Sequence, residues 1–215
     1  MEIQSFMFNP FQENTYVAFD ETKQAIIIDP GCYSSAELNR LFEFIGSKTL
    51  QPTAIVNTHC HIDHVFGVNA VRQKYDIPFY CHKGELPVLQ AVPAYAPVYG
   101  MEVDPIENVH FLEEDTYSFG NTELVLKFTP GHSPASLCFI HQPSKQIIAG
   151  DVLFQGSIGR ADLPGGDYTT LMKSIENELL PLDDDYRVYP GHGEPTTIGI
   201  ERRSNPFILE WLANK

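Results

Sequence analysis

The segment His59-Cys60-His61-Ile62-Asp63-His64 constrains this chain more than any other stretch of its 215 residues. It follows Thr53-Ala54-Ile55-Val56-Asn57, an apolar run that reads as a buried strand. A chain leaving a strand starts extended, so alternate side chains share a face. His59, His61 and Asp63 then point one way. Val65, Val68, Val71 and Arg72 indicate a helix reaching Tyr75, so His64 falls where a helix begins and its side chain turns elsewhere. One short loop can thereby present ligands to two neighbouring points in space. Imidazole and carboxylate together suit zinc, iron or manganese, and adjacent ions need such mixed shells.

Three further positions extend the pattern. His132 follows the strand-like run Glu123 to Thr129, Asp151 follows Gln146 to Ala149, and His192 follows Tyr186 to Tyr189. Each lies beside a glycine (Gly131, Gly150, Gly191) that lets the backbone bend closely. Four strand ends are therefore expected to deliver His59, His61, Asp63, His64, His132, Asp151 and His192 to one edge of the fold. The remaining histidines, His82, His110 and His141, have no such setting and read as ordinary surface or core residues.

The rest of the chain reads as strands broken by helices. Ile3 to Phe8, Thr15 to Phe19 and Ala25 to Ile28 are strand-like, the last ended by the turn Asp29-Pro30-Gly31. Ser34 and Glu37 fit a capping box, and Leu38, Leu41, Phe42 and Ile45 follow at helical spacing, which predicts a helix over Ser35 to Ser47. Pro78 to Cys81 is a strand and Lys83 to Ala91 a short helix. Residues 92–108 carry Pro93, Pro97, Gly100 and Pro105 without a period, so this stretch is expected to be a loop forming a rim or lid.

The second half repeats the scheme. Strands are expected at Val109 to Leu112, Thr116 to Phe119, Glu123 to Thr129, Leu137 to His141, Gln146 to Ala149 and Tyr186 to Tyr189. Asp167 can cap a helix over Tyr168 to Leu179, with further helices at Thr196 to Arg203 and Phe207 to Ala213. Two sheets packed face to face, with helices outside each, bury the apolar faces of both halves most simply. The expected organisation is a single domain with pseudo-symmetric halves of about 1–108 and 109–215.

Charge and cysteine usage narrow the function. The formal net charge is −14, which repels phosphate backbones and makes nucleic acid a poor partner. The longest apolar stretches, such as Ala25 to Ile28, are strand-sized, so no membrane segment is expected. No basic region followed by an apolar one opens the chain, and Cys32, Cys60, Cys81 and Cys138 are scattered without a CxxC pair. A cytoplasmic protein with reduced thiols is expected.

At the histidine and aspartate positions the chain resembles the metallo-β-lactamase superfamily. Within it, Asp29-Pro30-Gly31, Gly150-Asp151 with Leu153-Phe154, and Gly159-Arg160-Ala161-Asp162 resemble the glyoxalase II (hydroxyacylglutathione hydrolase) branch, in its shorter type II form. The resemblance implies an α+β fold, a four-layer αββα sandwich. It implies one ion on His59, His61 and His132, a second on Asp63, His64 and His192, and Asp151 bridging them. The ions would be zinc, or else iron or manganese. The longer members carry a C-terminal helical domain that grips glutathione. Only a short segment follows His192 here, so that domain is not expected. Arg160 is the candidate contact for a substrate carboxylate or polar group, since it lies in the Gly-rich stretch Gly156 to Gly166.

The implied chemistry is hydrolysis of a small-molecule thioester, S-lactoylglutathione or a related S-acyl thiol. Paired metal ions would lower the pKa of a shared water toward about 7, with Asp63 orienting the resulting nucleophile. A mononuclear-iron glutathione persulfide dioxygenase, a lactonase or β-lactamase, and a metal-binding module without catalysis are the alternatives. Cys60 as nucleophile is disfavoured, because it should point opposite to His59 and His61 on an extended segment, and no G-x-S-x-G is present.

Overall fold

The computed structural model describes residues 1–112 and 115–214. The chain divides into two compact units, Met1–Glu113 with Tyr117–Glu123, and Glu114–Thr116 with Leu124–Lys215.

The first unit is built on a six-stranded mixed sheet in the order β1-β2-β3-β4-β5-β6. Strands β1 (Glu2–Phe8), β2 (Glu13–Phe19) and β3 (Gln24–Ile28) run antiparallel in sequence. Strands β4 (Gln51–Val56), β5 (Phe79–Cys81) and β6 (Val109–Phe111) then add in parallel. Parallel neighbours need crossovers, and helix α1 (Ser35–Ser47) and helix α2 (Val68–Tyr75) supply the first two. The expected capping box starts α1. Ser34 accepts the Glu37 N–H, and the Glu37 carboxylate accepts the backbone N–H of Ser34 at 2.8 Å.

Period-2 and period-3.6 patterns meet in one core. Val17, Ala25, Ile27, Ile55 and Phe79 from the strands join Leu41 and Ile45 of α1 and Val68 and Val71 of α2. Leu41 has no exposed surface. Leu41→Ala should therefore cost about 2–5 kcal/mol, seen as a lower denaturant midpoint at unchanged slope.

The second six-stranded sheet has the order β14-β13-β10-β9-β8-β7. Its strands are β7 (Thr116–Phe119), β8 (Thr122–Phe128), β9 (Leu137–His141), β10 (Gln146–Gly150), β13 (Arg187–Pro190) and β14 (Thr196–Thr197). Neighbours β8, β9 and β10 are antiparallel, whereas β10 and β13 are parallel. Strands β11 (Leu153–Phe154) and β12 (Ser157–Ile158) form a separate ribbon. Helix α4 (Tyr168–Ser174), capped by Asp167, lies in the crossover between β10 and β13. Ile140, Ile147 and Val188 of the sheet form a core with Leu171 and Met172 of α4, Ile198 of helix α5 (Ile198–Ser204) and Ile208 of helix α6 (Pro206–Ala213).

Three expectations need correction. Residues 92–108 are not wholly loop. Helix α3 (Leu86–Tyr95) continues through Pro93, and a 3-10 turn follows at Ala96–Tyr99. Burial of Leu89, Val92 and Ala96 in the first core outweighs the hydrogen bond that Pro93 forfeits. The helix expected to reach Leu179 changes at Ser174 into a π-helical turn, Ile175–Leu179, which keeps both its end residues buried. Thr196 and Thr197 are strand rather than helix, because they pair with Val188 and Arg187. Among the described residues no helix is long and apolar enough to cross a membrane.

Candidate metal centre

In the first unit, β4 ends at Val56 and hands on to Asn57, Thr58 and His59, all buried. His61 keeps extended backbone, and Ile62–His64 close a 3-10 turn. The Asn57 amide holds this loop from inside, donating to the carbonyls of His59 at 3.2 Å and His64 at 2.9 Å. The rings of His59 and His61 lie 4.8 Å apart and those of His59 and His64 4.1 Å apart. The three imidazoles of the loop lie side by side, and His64 turns its Nε2 toward Asp63.

Asp29 organises these rings. It follows β3 and adopts left-handed backbone, with φ of +50°. Its carboxylate accepts the Thr58 N–H at 2.7 Å, the Thr58 hydroxyl at 2.5 Å and His64 Nδ1 at 3.1 Å. A carboxylate only accepts, so His64 carries its proton on Nδ1 and a lone pair on Nε2. The Thr58 hydroxyl has spent its proton on Asp29. It must accept from His59 Nδ1, 3.1 Å away, which leaves a lone pair on His59 Nε2 as well. Donor atoms of Asp29, His59 and His64 all lie within 4.8 Å of one another.

A second buried acid lies behind. Desolvation pushes the Glu13 carboxyl well above its ordinary range. Thr15 Oγ1 receives the Gly31 N–H at 2.9 Å and offers its own proton to the Asp29 carbonyl and to Glu13 Oε2, both 2.9 Å away. The nearby His64 and the Thr15 contact pull the Glu13 carboxyl back down, but desolvation is the larger effect. Gly31 is required in this crowd, because a Cβ there would overlap Glu13 Oε2 and the Asp63 carbonyl. Asn9 donates to both the Asp63 and Gly31 carbonyls at 3.0 Å.

His64 Nε2 faces Asp63 Oδ2 at 3.7 Å. A lone pair aimed at a carboxylate oxygen is repulsive unless a cation lies between them. Two donors on one tetrahedral ion at about 2.1 Å stand roughly 3.4 Å apart, so the spacing fits a shared metal.

The second unit repeats this design. His132 follows β8, and its Nδ1 donates to the Arg160 carbonyl at 2.7 Å. Its Nε2 faces Asp151 Oδ2 at 3.4 Å, and His192 Nε2 approaches the same oxygen at 3.5 Å. Asp151 and His192 follow the parallel strands β10 and β13, whose ends are joined by a 2.8 Å bond from the Gly191 N–H to the Gly150 carbonyl. Gly159 permits the close pass of Arg160, since a Cβ there would overlap the Asp151 carbonyl. The imidazoles with bonded Nδ1 atoms and outward Nε2 lone pairs, next to carboxylates, fit divalent metal in both units.

Arg160 pairs with a nearby acid. Its guanidinium makes two bonds to Asp162, at 2.7 and 2.8 Å, and this pairing holds the Asp162 carboxyl down at about 2. Cys60 is fully buried, and burial followed by its neighbour Cys81 pushes its thiol well above the ordinary range, which makes it a poor nucleophile. The Cys60 N–H, between two of the histidines, donates to buried Glu85 at 2.9 Å. His82 caps a turn by accepting the Gly84 N–H, His110 lies against Tyr80, and His141 bonds Ser144. All four cysteines are free thiols.

Asp29, Thr58, Asn57, Glu13 and Glu85 are the functional residues that sequence reasoning missed. Asp29 was read as part of a turn and of a family-like motif, not as a partner of the histidines. Its place at the end of a strand beside β4 was the available signal. Nothing local marks Glu13 or Glu85.

The model of the metallo-beta-lactamase superfamily matches residues 8–192. A probable metallo-hydrolase of Bacillus subtilis is 39% identical, with 93% of each chain covered. A hydroxyacylglutathione hydrolase of Haemophilus influenzae is 36% identical, over 97% of this chain and 98% of that one. Among solved structures, the B3 metallo-beta-lactamase BLEG-1 superposes with a TM-score of 0.86 at 38% identity, covering 96% of this chain and 99% of its own. A protein solved in a di-iron-bound form, TTHA1623, superposes with a TM-score of 0.85 at 37% identity, covering 95% and 99%.

Proposed function

The chain belongs to the metallo-β-lactamase superfamily, and from that premise we propose that it is a dinuclear metallohydrolase acting on thioesters. The observation that carries the reading is the set of imidazole Nε2 atoms standing 3.4–3.7 Å from carboxylate oxygens, with Nδ1 of His64 and His132 tied back. His59, His61 and His132 would hold one ion, Asp63, His64 and His192 the other, with Asp151 shared. Zinc, iron and manganese all accept these donors. The di-iron form of a relative at 37% identity supports a pair of ions.

Bound divalent ions supply Lewis acidity and a water acidic enough to ionise near neutral pH. The residues do the rest. Asp63 accepts a hydrogen bond from the attacking water and so aims its lone pair at the acyl carbon. Asp29, through Thr58 and directly, keeps the proton of His59 and His64 on Nδ1. The leaving thiolate needs little help, because thiols have a pKa of roughly 8.5. No separate general acid is demanded. Arg160 would meet a substrate carboxylate only by exchanging its partner Asp162.

The hydroxyacylglutathione hydrolase at 36% identity favours a thioester. The lactamase at 38% identity favours a cyclic amide or ester as the second reading. Hydrolysis of S-lactoylglutathione, other thioesters, a lactone and a β-lactam should be compared, each with a chelator and with a thiol alkylator. Thioester turnover lost to the chelator alone is expected. Turnover lost to the alkylator alone, or oxygen uptake with glutathione persulfide in place of hydrolysis, contradicts the reading.

A further inference from the structure

Aromatic side chains from separate stretches of the first unit border the loop that carries His59 to His64. Phe11 lies in the β1–β2 turn, Tyr33 follows Asp29-Pro30-Gly31, Phe66 comes just after the 3-10 turn, and Tyr95 and Tyr99 come from α3 and the turn beyond it. Their rings form one connected series. Centroids are 4.8 Å apart for Tyr33 and Phe66, 6.4 Å for Phe66 and Phe11, 5.5 Å for Phe11 and Tyr99, and 6.4 Å for Tyr99 and Tyr95.

The series is tied to the metal loop at two points. The Tyr95 hydroxyl lies by the Ile62 backbone N–H and within electrostatic reach of Asp63. Asn9 donates to the Asp63 carbonyl at 3.0 Å and with its own carbonyl accepts the Phe11 N–H at 2.9 Å. Both anchors reach residues at or beside a proposed metal ligand.

Phe11, Phe66 and Tyr95 are half-buried and brace the series against the core, while its outer rings are open. Tyr33 is 41% exposed and Tyr99 53%, and Val98 beside it is 82% exposed. Exposed aromatic rings held rigidly from behind suit an apolar ligand group. Arg40 sits over Phe6 and Phe8, Lys74 over Phe42, and Arg72 bonds the Glu107 carbonyl, so these three cations are engaged with other groups. At the Tyr33 end the backbone N–H meets the Glu37 carboxylate at 2.9 Å and the hydroxyl accepts the Glu102 N–H at 3.5 Å.

We propose that this aromatic wall is the acyl-group subsite and that it selects uncharged aromatic acyl groups, arylacyl thioesters, over small hydroxyacyl ones. The proposal rests on the thioester reading, deepening it by naming the acyl class. An arylacyl ring would lie against Phe11 and Tyr99 while its carbonyl stands at the Asp63 loop.

The test uses metal-loaded full-length protein and two readouts. Calorimetry compares binding of phenylacetate and acetate, which share a carboxylate and differ by the ring. Kinetics compare phenylacetyl, lactoyl and acetyl thioesters of N-acetylcysteamine, a neutral thiol. Wild type should bind phenylacetate at least about tenfold more tightly than acetate. Tyr99→Ala and Phe11→Leu should each erase most of that difference and leave acetate binding unchanged. Tyr99→Phe, which keeps the ring, should restore it. Equal affinity for the two acids in wild type, or an unchanged ratio in Tyr99→Ala, overturns the proposal whatever the kinetics show. A ring preference in binding together with no hydrolysis of any thioester upholds the wall and refutes the thioester reading.

Discussion

Asp63→Ala will lower kcat for thioester hydrolysis about 10²–10⁴-fold, the usual weight of a group that aims a nucleophile and takes part in its proton transfer. The geometry leaves Asp63 little freedom. It sits in the 3-10 turn after His61, its carbonyl is held by Asn9 at 3.0 Å, and its Oδ2 faces His64 Nε2 at 3.7 Å. A residue that were only a ligand would lose rate in proportion to lost metal. Asp63 is assigned both tasks, so the rate per bound metal should fall as well. Asp63→Asn keeps the shape and one acceptor oxygen, and should lie between wild type and alanine. Metal content and kcat measured on the same preparations separate the two tasks. A loss under tenfold in the alanine variant would remove Asp63 from the mechanism.

The second large effect belongs to a residue that would touch no substrate. Asp29→Asn should weaken metal binding about 10–100-fold, the usual cost of removing an orienting partner behind a ligating histidine. Asn is the informative change, because the backbone at position 29 is left-handed, with φ of +50°, and Asn tolerates that region better than Ala. The new amide NH2 would face a donor, either the Thr58 N–H, the Thr58 hydroxyl or His64 Nδ1–H. A buried donor left without an acceptor costs about 1–3 kcal/mol, so the metal-free protein should lose stability too. Competition with a chromophoric chelator reads the first effect and thermal unfolding in chelator reads the second. Unchanged metal affinity with lowered stability would reduce Asp29 to a structural role.

What could be read in the chain follows from how local each signal is. The H-x-H-x-D-H run and the single histidine or aspartate after β8, β10 and β13 were legible, because a strand end with a glycine is a local pattern. The capping box at Ser34 and Glu37 is equally local, and α1 forms over the expected residues. A helix over Lys83 to Ala91 was legible, but the last turn of α3 was hidden, because Pro93 argues against a helix locally while the burial of Val92 is a tertiary fact. The small pairings, β11 with β12 and β14 with β13, rest on few residues with no period to detect.

The buried acids were illegible for a deeper reason. Glu13 is the first residue of β2 and Glu85 precedes α3, so in sequence each resembles any surface carboxylate, while Asp29 stood out only as the start of a turn within a family-like motif. Their function arises from contacts to residues far along the chain, such as Asp29 with Thr58 and His64, and Glu85 with Cys60. The pairing of Arg160 with Asp162 is local, two positions apart, yet an arginine among many acids offers no way to choose its partner from sequence. The Arg160 carbonyl that orients His132 is a backbone group, which no side-chain motif records.

Metal content per chain, determined on the purified protein together with thioester turnover before chelation, after it and after adding metal back, tests the central claim most directly. The account predicts two divalent ions per chain, and hydrolysis that disappears and returns with them. A single iron per chain, with oxygen consumed in the presence of glutathione persulfide and no thioester cleaved, would contradict it.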